Sequence, residues 1–194
     1  MQTRILCTAA ALALAVAACS KNNAETNNIA ATDNMAMDNN MSAEANNTTA
    51  IAAPSATDFA NQIAASDRFE IESGNLAAKQ GTSPAIKDFG QMLVTAHTQS
   101  TADLKAAGAG SNPPITPSDA LDAEKEGMLA KLKSATGADF DQQFIEQQIA
   151  GHQKALDLLN AYAAGGDNAA LKAFATKATP IVQSHLDKAR ALKK

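Results

Sequence analysis

Residues 83–104, SPAIKDFGQMLVTAHTQSTADL, decide the fold. Ser83 followed by Pro84 reads as an N-cap and a proline at the first helical position, where its missing N–H costs nothing. Behind that start, Ile86, Phe89, Leu93, Ala96, Ser100 and Leu104 recur at spacings of three and four, the period of one helix face. His97 stands four residues after Leu93 and eight after Phe89, so it extends the same inward stripe.

The pattern continues outward on both sides. A preceding helix runs from about Asp58 to Gln80 and closes at Gly81, with Phe59, Ile63, Ala77 and Ala78 on or near one stripe. Beyond the Gly/Pro break at 108–114, Thr116-Pro117 and Asp119 open a shorter helix through Leu121, Met128, Leu129 and Leu132, ending near Gly137. A third long helix starts around Asp139, buries Phe140, Phe144, Ile145, Ile149, Leu156 and Leu159, and stops at Gly165-Gly166. Asp167 caps the fourth, whose stripe is Leu171, Phe174, Ala178, Ile181, Ala189 and Leu192, with a kink expected at Pro180. No segment alternates like a strand. Four long helices with one long and two short connections predict an all-α, antiparallel four-helix bundle over residues 57–194, with a short extra helix in the long connection.

The N-terminal part is built differently. Arg4 precedes an apolar run of 14 residues, Ile5 to Ala18, shorter than the ~20 a spanning helix needs. Residues 1–18 therefore read as a signal peptide. Val16-Ala17-Ala18-Cys19-Ser20 resembles a bacterial lipobox, with Val16 where the ideal motif has Leu, and implies lipidation of Cys19. Ser20 stands where Asp would favour inner-membrane retention, so the resemblance points to the periplasmic side of the outer membrane. Cleavage after Ala18 by ordinary signal peptidase, giving a soluble periplasmic or secreted protein, and an uncleaved anchor are the competing readings. Residues 19–56 are Asn-rich, without helical periodicity or large aliphatics to bury, and read as a disordered tether. Such a coil spans roughly 35 Å end to end, enough to hold a domain clear of a lipid surface. Met35, Met37 and Met41 within it are either low-complexity filler or a thioether cluster for Cu(I).

Composition removes several function classes. Of the 194 residues 45% are hydrophobic, and the net charge of −4 with no Trp and one Tyr argues against a nucleic-acid partner. With Cys7 leaving in the signal peptide and Cys19 acylated, the bundle contains no thiol, so disulfides and Cys-based metal sites are excluded there. There is no glycine-rich phosphate loop, Gly-x-Ser-x-Gly or His-Glu-x-x-His. Asp139 and Asp141 sit in a helix's first turn, where the dipole favours an anion.

The three histidines, His97, His152 and His185, fall on different long helices, and all extend the apolar stripe. On the first helix the matching position is Glu70, seven after Ile63, while Glu72 points nearly the opposite way. Glu70, His97 and His152 each lie within roughly 3 Å of their helix midpoints, so an antiparallel bundle stacks them in one layer; His185 lies some 7 Å off if its helix is straight. An inward carboxylate and three imidazoles are costly to bury apart. Together they suit one transition metal, Zn, Fe or Cu, or a hydrogen-bonded polar layer including water. A di-iron centre normally takes Glu-x-x-His pairs, and Val94, Ile149 and Val182 stand three before the histidines instead.

Glu70-Ile71-Glu72-x-Gly74-x-Leu76-Ala77, Phe89-Gly90-x-Met92 leading to His97, Phe140-Asp141 leading to His152, and Pro180 leading to His185-Leu186 resemble the bacterial family called domain of unknown function 4142, over about residues 57–192. The resemblance implies an exported or membrane-associated, ferritin-like helical bundle and no particular activity. Many members carry Asp directly before the helix-two His; this chain has Ala96, so a ligand or supporting role there is missing.

The expectation is a lipid-anchored envelope protein whose bundle binds or buffers a transition metal through Glu70, His97, His152 and His185. The alternative is a non-metal structural or interaction module in which the polar layer only fixes helix register. Redox or peroxide chemistry at the same centre is a third reading. No sequence feature identifies a protein partner.

Overall fold

In the computed structural model, residues 52–193 are described; the stretch read as a signal peptide, Cys7, Cys19, and the stretch read as a tether as far as Ile51, with its methionines, lie outside them. Five helices follow one another: α1 (Ala56–Gln80), α2 (Pro84–Ala109), α3 (Ala123–Ser134), α4 (Gly137–Gly165) and α5 (Ala169–Leu192). Among the described residues there is no strand, and no helix is long and apolar enough to cross a membrane.

The caps show why the helices start where they do. Ser83 accepts a hydrogen bond from the Ile86 N–H at 3.3 Å ahead of Pro84, as its sequence pattern implies. Asn168, not Asp167, caps α5 by accepting from the Leu171 N–H at 3.1 Å. Asp167 accepts the Tyr162 hydroxyl at 2.8 Å instead, which ties the end of α4 to the turn. The short helix α3 begins past Asp119, with Asp122 accepting from the Lys125 N–H at 2.8 Å. The stretch before it is held in place by the Ser118 N–H donating to the Asn61 side chain at 2.8 Å, so its backbone is satisfied outside a helix. Asp141 does more than favour a dipole: it accepts the Thr82 N–H at 3.1 Å and the Thr82 hydroxyl, fastening the α1–α2 turn to α4.

Turns of three residues join α1 to α2 and α4 to α5, which forces each pair to run antiparallel. Packing of α2 on α5 and of α1 on α4 closes the ring of four, and α3 lies across α1 and α4. The closest approach within the α1–α2 pair is at Gly74 and Gly90. A Cβ on Gly74 would fall 2.7 Å from the Gly90 carbonyl oxygen, and one on Gly90 would fall 2.6 Å from that of Gly74.

The core has two apolar halves. One gathers Phe59, Ile63, Leu104, Leu159, Tyr162 and Phe174, with the Phe59 and Tyr162 rings stacked 3.9 Å apart. The other gathers Ile86, Phe89, Leu93, Phe140, Phe144 and Ile145. On α5 the buried line runs through Leu171, Ala175, Val182, His185 and Ala189, leaving Ile181 46% exposed. Ile181 and Val182 both follow Ala178 at helical spacing, and the larger side chain is not the one that faces inward.

Candidate metal centre

Between the two apolar halves lies a polar layer to which each long helix contributes. His97 comes from α2, His152 from α4 and His185 from α5, only 6%, 2% and 5% exposed. Their ring centroids are 5.7 Å (His97–His152), 5.4 Å (His97–His185) and 5.4 Å (His152–His185) apart. One nitrogen of each ring lies within 4.8 Å of the corresponding nitrogen of the other two. The sequence places His185 off the layer, whereas the structure brings it level. Helix midpoints are a poor ruler when helices of unequal length are not flush at their ends: α5 has 24 residues and α4 has 29.

Two of the rings are oriented by partners on their far side. His97 Nδ1 lies 2.8 Å from Asp67 Oδ1, and Asp67 is itself buried on α1, 3% exposed. The Thr101 hydroxyl sits 3.3 Å from Asp67 Oδ2 and 2.9 Å from the His97 carbonyl. His152 Nδ1 lies 2.9 Å from the Gln148 carbonyl, which only accepts, so Nδ1 carries the proton and Nε2 keeps its lone pair. Three buried ring nitrogens have no hydrogen-bond partner: His97 Nε2, His152 Nε2 and His185 Nδ1.

The rings divide in charge. Burial depresses His152 to about 3 and His185 to about 4, helped in each by the positive charge of His97, so both are neutral at pH 7. Burial also works against the His97 cation, but the Asp67 hydrogen bond and the Glu70 and Asp67 charges outweigh it and hold its pKa above the ordinary value. The layer therefore offers two neutral imidazoles and a third whose cationic form the neighbouring carboxylate favours.

Glu70 is buried at 2% exposure in the same layer, but it does not join the cluster of three nitrogens. Burial raises its pKa to about 7 against the pull of the His97 charge and the Gln148 amide. Its Oε2 has no partner, and the carboxylate lines a separate cavity beneath α3 beside Met128 and Gly151. The carboxylate that touches the histidine cluster is Asp67, which the sequence reading passed over. Two signals were there: Asp67 stands four residues after Ile63 on the buried stripe, and Asp67 and His97 lie equally far from Thr82 at the centre of the turn. Residues equidistant from a tight turn between antiparallel helices end up side by side.

A buried polar atom left unpaired costs about 1–3 kcal/mol. Three of them, one on each ring of the layer, amount to a large share of the ~5–15 kcal/mol that stabilises a typical domain. Such nitrogens call for a partner, an ion or a water. Nitrogens around one four-coordinate ion sit about 2.0–2.1 Å from it, so three donors this close need to move inward by under about 1 Å each. The neutral His152 and His185, the carboxylate behind His97 and the carbonyl behind His152 are what such ligands use to fix ring orientation. The centre also has a way out: a cavity of about 70 Å³ between α2 and α5 reaches His97, His185 and Asp67.

No curated protein matches the sequence. Among solved structures, the fold is similar to that of CopM in the Cu(II)-bound form, at 14% identity and a TM-score of 0.62, over 73% of this chain and 97% of that one. It is likewise similar to CopM in the Cu(I)-bound form, at 14% identity and a TM-score of 0.59, over 71% of this chain and 94% of that one. At that identity the likeness is one of fold. The family described as "Domain of unknown function (DUF4142)" matches residues 40–192, which include the whole layer and all five helices. The chain belongs to the DUF4142 family.

Proposed function

We propose that this chain binds one copper ion in the cell envelope, held by His97 Nε2, His152 Nε2 and His185 Nδ1, and serves to bind or buffer the metal there. The observation that carries this reading is that three buried imidazoles from three helices each bring a ring nitrogen within 4.8 Å of the others, and each has a buried nitrogen without a partner. All-imidazole donors without a thiolate suit Cu, Zn or Fe. The likeness of fold to two copper-bound structures of CopM favours copper among them. The lipobox-like stretch ending at Cys19 supports anchoring by lipid on the periplasmic side of the outer membrane, with residues 19–56 as the tether. Asp67 keeps the His97 ring in place from behind.

Copper binding should release a proton, because a ligand nitrogen must give up its hydrogen. His97 is charged below its raised pKa, so affinity climbs with pH up to that value and flattens above it. Titrating copper into the chelator-stripped mature chain in weak buffer is expected to end at one ion per chain. Proton release should approach one per ion below the His97 pKa and fade above it. Asp67→Asn removes the anion that holds the proton, so release at pH 7 shrinks and affinity falls about 10–100-fold. Absence of stoichiometric binding, or binding with no proton release at any pH, would sink the reading.

One observation favours the non-metal alternative. With the His97 cation favoured by Asp67 and with His152 and His185 neutral, the rings present one donor and two acceptors, which a single water would satisfy. In that case the layer fixes helix register, and copper leaves the melting temperature unchanged.

A further inference from the structure

Given the copper reading above, we infer that metal reaches and leaves the histidines through the cavity between α2 and α5, and that the Asp103–Lys177 ion pair at its rim sets how fast. A buried centre needs a path. The α1–α4 side is crossed by α3, whereas the α2–α5 side carries no covering helix among the described residues. Small side chains make the opening there: Ala96 and Ser100 on α2 face Ala178 on α5, with His97 and His185 at the inner end. About 70 Å³ is room for more than one water-sized group, where one needs ~10–15 Å³.

The rim is charged in a way that suits a cation. Asp103 Oδ2 accepts from Lys177 Nζ at 2.8 Å across the seam, and Asp103 Oδ1 accepts from Gln99 Nε2 at 2.8 Å. A second carboxylate, Asp67, waits at the inner end beside His97. An oxygen donor at the mouth and another beside the imidazoles give a cation two stations on its way in. Lys177 occupies the outer one and repels an arriving ion. Its side chain is 69% exposed, and exposed pairs of this kind hold weakly, so it opens readily. The exposure of Ile181 has its place here too, on the wall of the same cavity.

The test is the rate of Cu(II) uptake by the metal-free mature chain and of its removal by a chromophoric chelator, in stopped flow. Lys177→Met clears the outer carboxylate and removes one positive charge. Uptake and release are both expected to quicken about threefold at low ionic strength, the difference fading in high salt. Ser100→Leu fills the passage, and both rates should fall about tenfold with the stoichiometry unchanged. Lys87→Met, on an exposed lysine remote from the cavity, should match the wild type. Full loading of both cavity variants at wild-type rates would overturn the route while leaving the copper centre standing. A wild-type chain that takes up no copper would overturn the centre itself, and the route with it.

Discussion

Substituting His152 by alanine is expected to abolish most of the rise in melting temperature that copper gives the wild-type chain. An ion that binds only the native state stabilises it by about 2.7 kcal/mol when its free concentration is a hundred times Kd. At about 3 °C per kcal/mol for a domain of this size, the wild-type midpoint should rise by roughly 8 °C. His152 supplies a neutral nitrogen whose tautomer is set by the Gln148 carbonyl, and no other side chain in the cluster can replace it. Losing it lowers affinity by about a hundredfold or more, at the upper end of or beyond what loss of a mere supporting partner costs. At the same copper concentration the shift then shrinks to roughly 1 °C. The metal-free variant should melt close to the metal-free wild type, because the space left by the ring is offset by removing an unpaired buried nitrogen. An undiminished copper shift in His152→Ala, read by differential scanning calorimetry, would show that the ion sits elsewhere.

The second large effect concerns the frame rather than the centre. Gly90→Ala is expected to lower the melting temperature by roughly 6–9 °C, a loss of about 2–3 kcal/mol. A Cβ there would meet the Gly74 carbonyl oxygen at 2.6 Å, the Ala77 Cβ at 2.8 Å and the Ala78 nitrogen at 2.9 Å. Two of those neighbours are backbone and cannot swing aside, so α1 and α2 must separate. Alanine's better helix propensity returns only ~1 kcal/mol. Gly127→Ala in α3 is the matched control: nothing lies within 4 Å of a Cβ there, and the residue is exposed. That variant should gain up to about 1 kcal/mol. Equal melting points for the two variants would remove the close helix approach from the account.

Much of this architecture can be read along the chain because it is periodic. Helices of 24–29 residues with caps such as Ser83 and stops such as Gly81 and Gly166 announce themselves locally. That His97, His152 and His185 all face the interior follows from stripe position alone. Level is harder. It depends on how helices slide past one another, which is why counting from helix midpoints displaces His185 and singles out Glu70 on the first helix while passing over Asp67. Counting outward from Thr82 pairs Asp67 with His97 and Gly74 with Gly90, and both pairs meet in the structure. The remaining misreadings are choices between near-equivalent residues. Asp167 and Asn168 both make good caps, and which one serves is decided by the Tyr162 hydroxyl taking Asp167.

The layer also explains why this bundle tolerates polar residues at its centre. Asp67 and Thr101 satisfy one side of His97 and the Gln148 carbonyl one side of His152, so orientation is fixed without water while the facing nitrogens stay free. Gln148 in turn donates to the Ser73 hydroxyl at 3.2 Å, linking α4 to α1 behind the centre. Side chains held this way would lose little further freedom on binding an ion.

X-ray absorption spectroscopy of the mature chain loaded with one equivalent of copper tests the central claim most directly. Three imidazole nitrogens at about 2.0 Å from copper, with the multiple-scattering pattern of histidine rings, are the predicted result. A copper environment dominated by sulfur, or by oxygen with fewer than two imidazoles, would contradict it.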